Sequence, residues 1–122
     1  MKRNLSRLTE VELRDLFEAL CIERGEKWDV ENVRPYNKLY LEIVDVAAEM
    51  KRRPGDARHL LIPLLKHEDW QVRLKAGTNT YAIAPQEARE ALQWLSNTMV
   101  SPIGPEAGFF LFWIDRGEFI PT

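Results

Sequence analysis

Cysteine is almost missing from this chain: 122 residues hold 1, Cys21, so no internal disulfide can form. Between Leu20 and Ile22 that thiol reads as a small buried hydrophobe, and a reducing compartment, the cytoplasm, is the expected location. Histidine is scarce too, with His59 and His67 about two helical turns apart. Helical zinc ligands stand four residues apart with a third ligand converging, and no HExxH pattern exists, so no metal is expected. A GxSxG elbow and a phosphate-cradling glycine loop are also lacking; Gly55 and Gly104, the glycines near helix starts, belong to turns. No apolar run reaches secretory or membrane-spanning length: Phe109 to Ile114 falls far short of the roughly 20 residues that cross a bilayer. Neither sign of charge dominates, since 17 basic against 19 acidic residues give a net charge of −2. General nucleic-acid binding needs a basic footprint, and the balance here is slightly acidic. The expectation is a protein with no catalytic residues, no cofactor and no metal, that is, a non-enzymatic binding protein.

What is present is ordinary globular material, 45% hydrophobic and 30% charged, enough for a single domain over residues 1–122. Thr9 and Glu12 form a capping box in which each side chain satisfies an orphan amide of the other, so a helix starts there. Leu13, Leu16, Phe17 and Leu20 repeat at helical spacing, and Gly25 reads as the stop, giving a helix over Thr9–Arg24. After an aperiodic loop, Pro35 opens a second helix, with Tyr36, Leu39, Tyr40, Ile43, Ala47 and Met50 as its stripe. Lys51, Arg52 and Arg53 complement its negative end, and Pro54-Gly55 breaks it.

From Asp56 onward the chain repeats itself at an offset of 31 residues. Ala57, Arg58, Leu61, Leu64, Ala76, Gly77 and Ile83 recur as Ala88, Arg89, Leu92, Leu95, Ala107, Gly108 and Ile114. About two such matches are expected by chance at average residue usage. Helices are predicted over Asp56–Lys66, Asp69–Ala84, Gln86–Asn97 and Gly104–Gly117. His67-Glu68-Asp69, which could suggest a base beside two acids, then becomes an elbow: Leu60, Leu61, Leu64 and Leu65 end one helix, and Asp69 caps the next and pairs with Arg73.

Apolar pairs, an acidic turn and Val72-Arg73 followed by Ala76 resemble a HEAT repeat, as does Pro63 within the first helix of the pair. Together with Ala84-Pro85-Gln86-Glu87-Ala88 and the stretch Ser101 to Gly108, the chain looks like a small bacterial HEAT-like family. The resemblance implies an all-α fold, a short right-handed solenoid of helix pairs with about six helices. Residues 1–55 would supply N-terminal helices or a cap, and residues 56–122 two helix-pair repeats.

HEAT-type repeats bind along the face of their second helices. Gln71, Lys75 and Asn79 fall at i, i+4 and i+8, away from Val72, Ala76 and Ile83, and the repeat carries them to Pro102, Glu106 and Phe110. Trp70, of a residue type common among binding hot spots, joins them. The expected partner-binding set is therefore Trp70, Gln71, Lys75, Asn79, Glu106 and Phe110, while Trp28, Trp94 and Trp113 are expected in the core. The partner expected is another protein, in the sharpest form a bacterial toxin that this chain inhibits as an immunity protein. The alternative is a homodimerising scaffold whose apolar last helix is covered by its own copy. DNA binding by a HEAT-like stack is disfavoured, because the basic and aromatic groove it needs is lacking.

Overall fold

The computed structural model describes residues 4–122. Among them the regular elements are all helical: a 3₁₀ turn at Leu5–Arg7, α1 (Glu10–Glu26), α2 (Arg34–Arg52), a 3₁₀ segment at Ala57–Lys66, α3 (Trp70–Thr80), α4 (Pro85–Thr98) and α5 (Ile103–Asp115). The chain divides into two compact units, Met1–Leu60 and Leu61–Thr122. Among the described residues no helix is long and apolar enough to cross a membrane.

In the first unit α1 and α2 pack together. Thr9 Oγ1 accepts the Glu12 amide at 3.1 Å and Glu12 Oε1 accepts the Thr9 amide at 2.8 Å, so the capping box forms as its spacing dictates. Leu13, Phe17, Leu20 and Cys21 of α1 meet the buried Tyr36, Leu39, Ile43, Val46, Ala47 and Met50 of α2 in one core. The stop read at Gly25 is overridden, and α1 runs on to Glu26. Arg24 is buried with its guanidinium 3.8 Å from the centre of the Tyr36 ring, and this packing carries the helix through its last turn. At the far end of α2, Arg53 donates to the carbonyls of Leu5 (3.1 Å) and Leu8 (2.8 Å) and pairs with Glu49, fastening the N-terminal turn. Gly55 and Asp56 then turn the chain with φ of +78° and +58°. Ala57–Lys66 is 3₁₀ where an α-helix is predicted. Pro63 removes a donor and crowds the carbonyl four residues back, which favours the tighter winding.

The second unit holds α3, α4 and α5, each packed against the other two. Its core is Leu74, Leu92, Leu95, Ala107 and Leu111, flanked by Tyr81, Met99, Ile103 and Phe110. Helix α3 ends at Thr80, short of the predicted Ala84. The Thr80 hydroxyl donates to the Ala76 carbonyl at 2.8 Å, the amides of Ile83 and Ala84 both return to the Thr80 carbonyl, and Pro85 excludes helical geometry at Ala84. Gly77 of α3 and Gly108 of α5, equivalent in the repeat, both approach α4: a Cβ on Gly77 would stand 2.8 Å from Leu92, and one on Gly108 2.9 Å from Ser96. Leu92 and Ser96 lie one turn apart, so α3 and α5 seat their glycines on neighbouring turns of the same helix.

Candidate interaction surface

The His67-Glu68-Asp69 turn is a structural elbow. His67 Nδ1 accepts the Asp69 amide at 2.9 Å, and Asp69 Oδ1 accepts the Val72 amide at 3.0 Å as the cap of α3. His59 Nδ1 lies 2.8 Å from the Asp56 carbonyl. Arg73 donates from Nε to the His67 carbonyl. The predicted Asp69 pairing is replaced: the guanidinium stands 5.2 Å from the ring centres of both Trp70 and Trp94, at the third corner of a triangle with two indoles that are themselves 5.5 Å apart. Among the described residues no group of three or more His, Cys, Asp or Glu could hold a metal ion.

The polar face read from the spacing of Gln71, Lys75 and Asn79 is corrected by their burial. Gln71 is 3% exposed and Lys75 4%, so neither belongs to a solvated surface. Lys75 Nζ lies 3.2 Å from Glu106 Oε2, linking two positions 31 residues apart. Asn79 is half-buried and donates to the Lys75 carbonyl at 2.8 Å. Trp70 sits apart, in the Arg73 stack. Phe110 is half-buried beside the core, its ring edge-on to Tyr81 (5.8 Å) and Phe119 (5.6 Å). The structure thus brings Lys75 and Glu106 together and distributes the remaining residues of the set among three environments. The reason is that α5 packs on α3 and covers the side the α3 spacing alone leaves open.

The exposed surface lies one residue along. Phe109, Phe112 and Trp113 are 64%, 47% and 43% exposed, whereas Gly104, Ala107 and Leu111, on the opposite side of α5, are buried. Trp113, expected in the core, is therefore a surface residue, and so are Trp28 and Trp94. The Phe112 and Trp113 rings meet edge to face at 5.1 Å, and Arg116 stands 5.3 Å over Phe112. Beside them a shallow groove of about 620 Å³ runs along Met99, Val100, Gly104, Pro105 and Gly108 to Phe109 and Phe112. The sequence signal for this face was the unbroken apolarity of Phe109 to Ile114, which leaves one side of the helix without a core to fill. At the end of α5, Asp115 accepts from Arg89 at 2.7 Å. This bond holds the Asp115 carboxyl below the usual aspartate range, and Arg89 also reaches the Tyr81 hydroxyl at 3.1 Å.

Residues 11–115 match the model of a domain of unknown function, DUF2019, and the chain belongs to that family. It is similar to the protein RPA1889 from Rhodopseudomonas palustris, whose crystal structure superposes with a TM-score of 0.92 at 32% identity over 99% of this chain and 100% of that one. No curated protein matches it.

Proposed function

We propose that this DUF2019 chain is a non-enzymatic protein-binding domain whose contact surface is the aromatic side of α5. The observation that carries the reading is the exposure of Phe109, Phe112 and Trp113 on a helix whose other side is core. Monomeric proteins rarely leave large contiguous apolar surface in water, and such patches mark interaction sites. Aromatic side chains bring much contact area for little lost freedom, as binding hot spots require. The polar set around Gln71 and Lys75 gives way to this face because its central members are already buried. A HEAT-like arrangement of helix pairs is part of the reading, supported by the packing of α3 on α5 and by the pairing of repeat-equivalent Lys75 and Glu106. The sharper form, an inhibitor or immunity partner of a bacterial toxin, draws on the small size and the net charge of −2.

The test is a photo-crosslinking amino acid at position 109, with the same residue at the exposed Leu41 of α2 as control, both expressed in the native cell. Irradiation is expected to yield a discrete protein adduct from position 109 and none from position 41. Equal labelling at both sites, or none at either, refutes the assignment.

A further inference from the structure

An α-helix turns 100° per residue, so the side of α5 opposite the buried Gly104, Ala107 and Leu111 carries Pro105, Glu106, Phe109, Phe112, Trp113 and Arg116. Three features of this side bear on what covers it. The first is area. At ~200 Å² per aromatic side chain, the exposed fractions of Phe109, Phe112 and Trp113 leave about 300 Å². Val100, 80% exposed at the adjoining groove, and the exposed Pro105 extend the same apolar surface. With them the face reaches roughly 450 Å², within the range of the largest patch a monomer shows. Two such faces pressed together remove about 900 Å² before any polar rim is counted, close to the ~1,000 Å² that a specific interface needs.

The second feature is charge. Glu106, one turn before Phe109, is paired with Lys75 at 3.2 Å, and Arg116, one turn after Trp113, with Glu118 at 3.1 Å, so both charges at the rim of this side are balanced within the chain and neither repels a second copy. The third is symmetry. Phe109 and Trp113 stand equally far from the level of Leu111. A two-fold axis crossing α5 at that level lays two copies of the helix antiparallel. It sets Phe109 opposite the partner's Trp113, with the two helix dipoles opposed. A two-fold interface has to be self-complementary, and the apolar centre of this side of α5 meets that condition.

We infer that the occupant of the α5 face is a second copy of this chain, paired antiparallel through Phe109, Phe112 and Trp113. The inference rests on the protein-binding reading and names its partner. Sedimentation velocity on the purified full chain, from about 1 to about 100 μM, is expected to show a concentration-dependent rise from 14.3 kDa to twice that mass. Phe109→Asp and Trp113→Arg should each remain monomeric alone, while an equimolar mixture of the two recovers the dimer, because the antiparallel register sets the new acid against the new base. Recovery also shows that both variants are folded. If either aggregates, the milder Phe109→Ala should weaken dimerisation by about tenfold or more.

A monomer at every concentration refutes the inference, as does a dimer indifferent to Phe109→Asp; failure of the mixture to recover refutes the register. A monomer whose position-109 crosslinker still captures one defined protein overturns self-pairing and leaves the binding reading intact. A monomer with no adduct overturns both.

Discussion

Truncating Arg73 removes the group that joins the elbow at His67 to two helices. Its guanidinium lies 5.2 Å from the centres of Trp70 and Trp94, and its Nε donates to the His67 carbonyl. The rings are 38% and 43% exposed, so each contact belongs to the solvent-screened range, ~0.5–1 kcal/mol. A charged donor on a carbonyl adds roughly 1.5–3 kcal/mol. Arg73→Ala should therefore cost about 2.5–5 kcal/mol and lower the melting temperature by on the order of 10 °C. Arg73→Lys keeps the charge but has no planar group to set against two indoles, and should fall between Ala and the unchanged protein. Urea unfolding followed by tryptophan fluorescence and by helical circular dichroism measures the loss, and the fluorescence of the folded state should also change as the indoles lose the cation. A cost for Arg73→Ala within about 0.5 kcal/mol, the usual range of a surface substitution, would refute the claim that the stack braces the elbow.

Gly104→Ala places a Cβ 1.9 Å from the Met99 carbonyl oxygen, a backbone atom that cannot step aside, so it should cost at least about 3 kcal/mol in a chemical melt. At Gly77 the obstacle is the buried Leu92 side chain, and a net loss of about 1–2 kcal/mol should remain after the gain in helix propensity. Glu106→Ala leaves the Lys75 ammonium buried without that carboxylate and should destabilise by roughly 3 kcal/mol, whereas Lys75→Met should be close to neutral; the reverse order in a melt would contradict the account of this pair. Asp56 is held below the ordinary aspartate range by the Arg58 guanidinium at 2.7 Å. Its contribution is present above the unfolded aspartate pKa of ~4 and is lost as pH falls through the lower folded value. Asp56→Asn, which tolerates the left-handed backbone there, should flatten the acid limb of the stability curve in denaturant melts between about pH 7 and about pH 2.

Local chemistry was the most legible part of this sequence. The Thr9–Glu12 capping box, the opening of α2 around Pro35, the Asp69 cap and the burial of Cys21 depend on residues close together in the chain, and all appear in the structure. Helix ends were less legible, because Gly25 and Thr80 act through packing and hydroxyl bonds that no spacing rule encodes. The candidate surface was hardest to read. Helical periodicity on α3 separates Gln71 and Lys75 from the apolar stripe, but which side faces water depends on α5, which lies on the other side of α4 in the sequence. The offset of 31 aligns Lys75 with Glu106, but nothing in the spacing of either helix says that the two meet, as they do in the fold.

That pairing has a consequence for how such a chain can change over generations. Two lysines or two glutamates placed against each other with one of them buried repel, so neither position can change sign alone. Across relatives of this chain, positions 75 and 106 are expected to vary as a unit, either keeping opposite charges or turning apolar together.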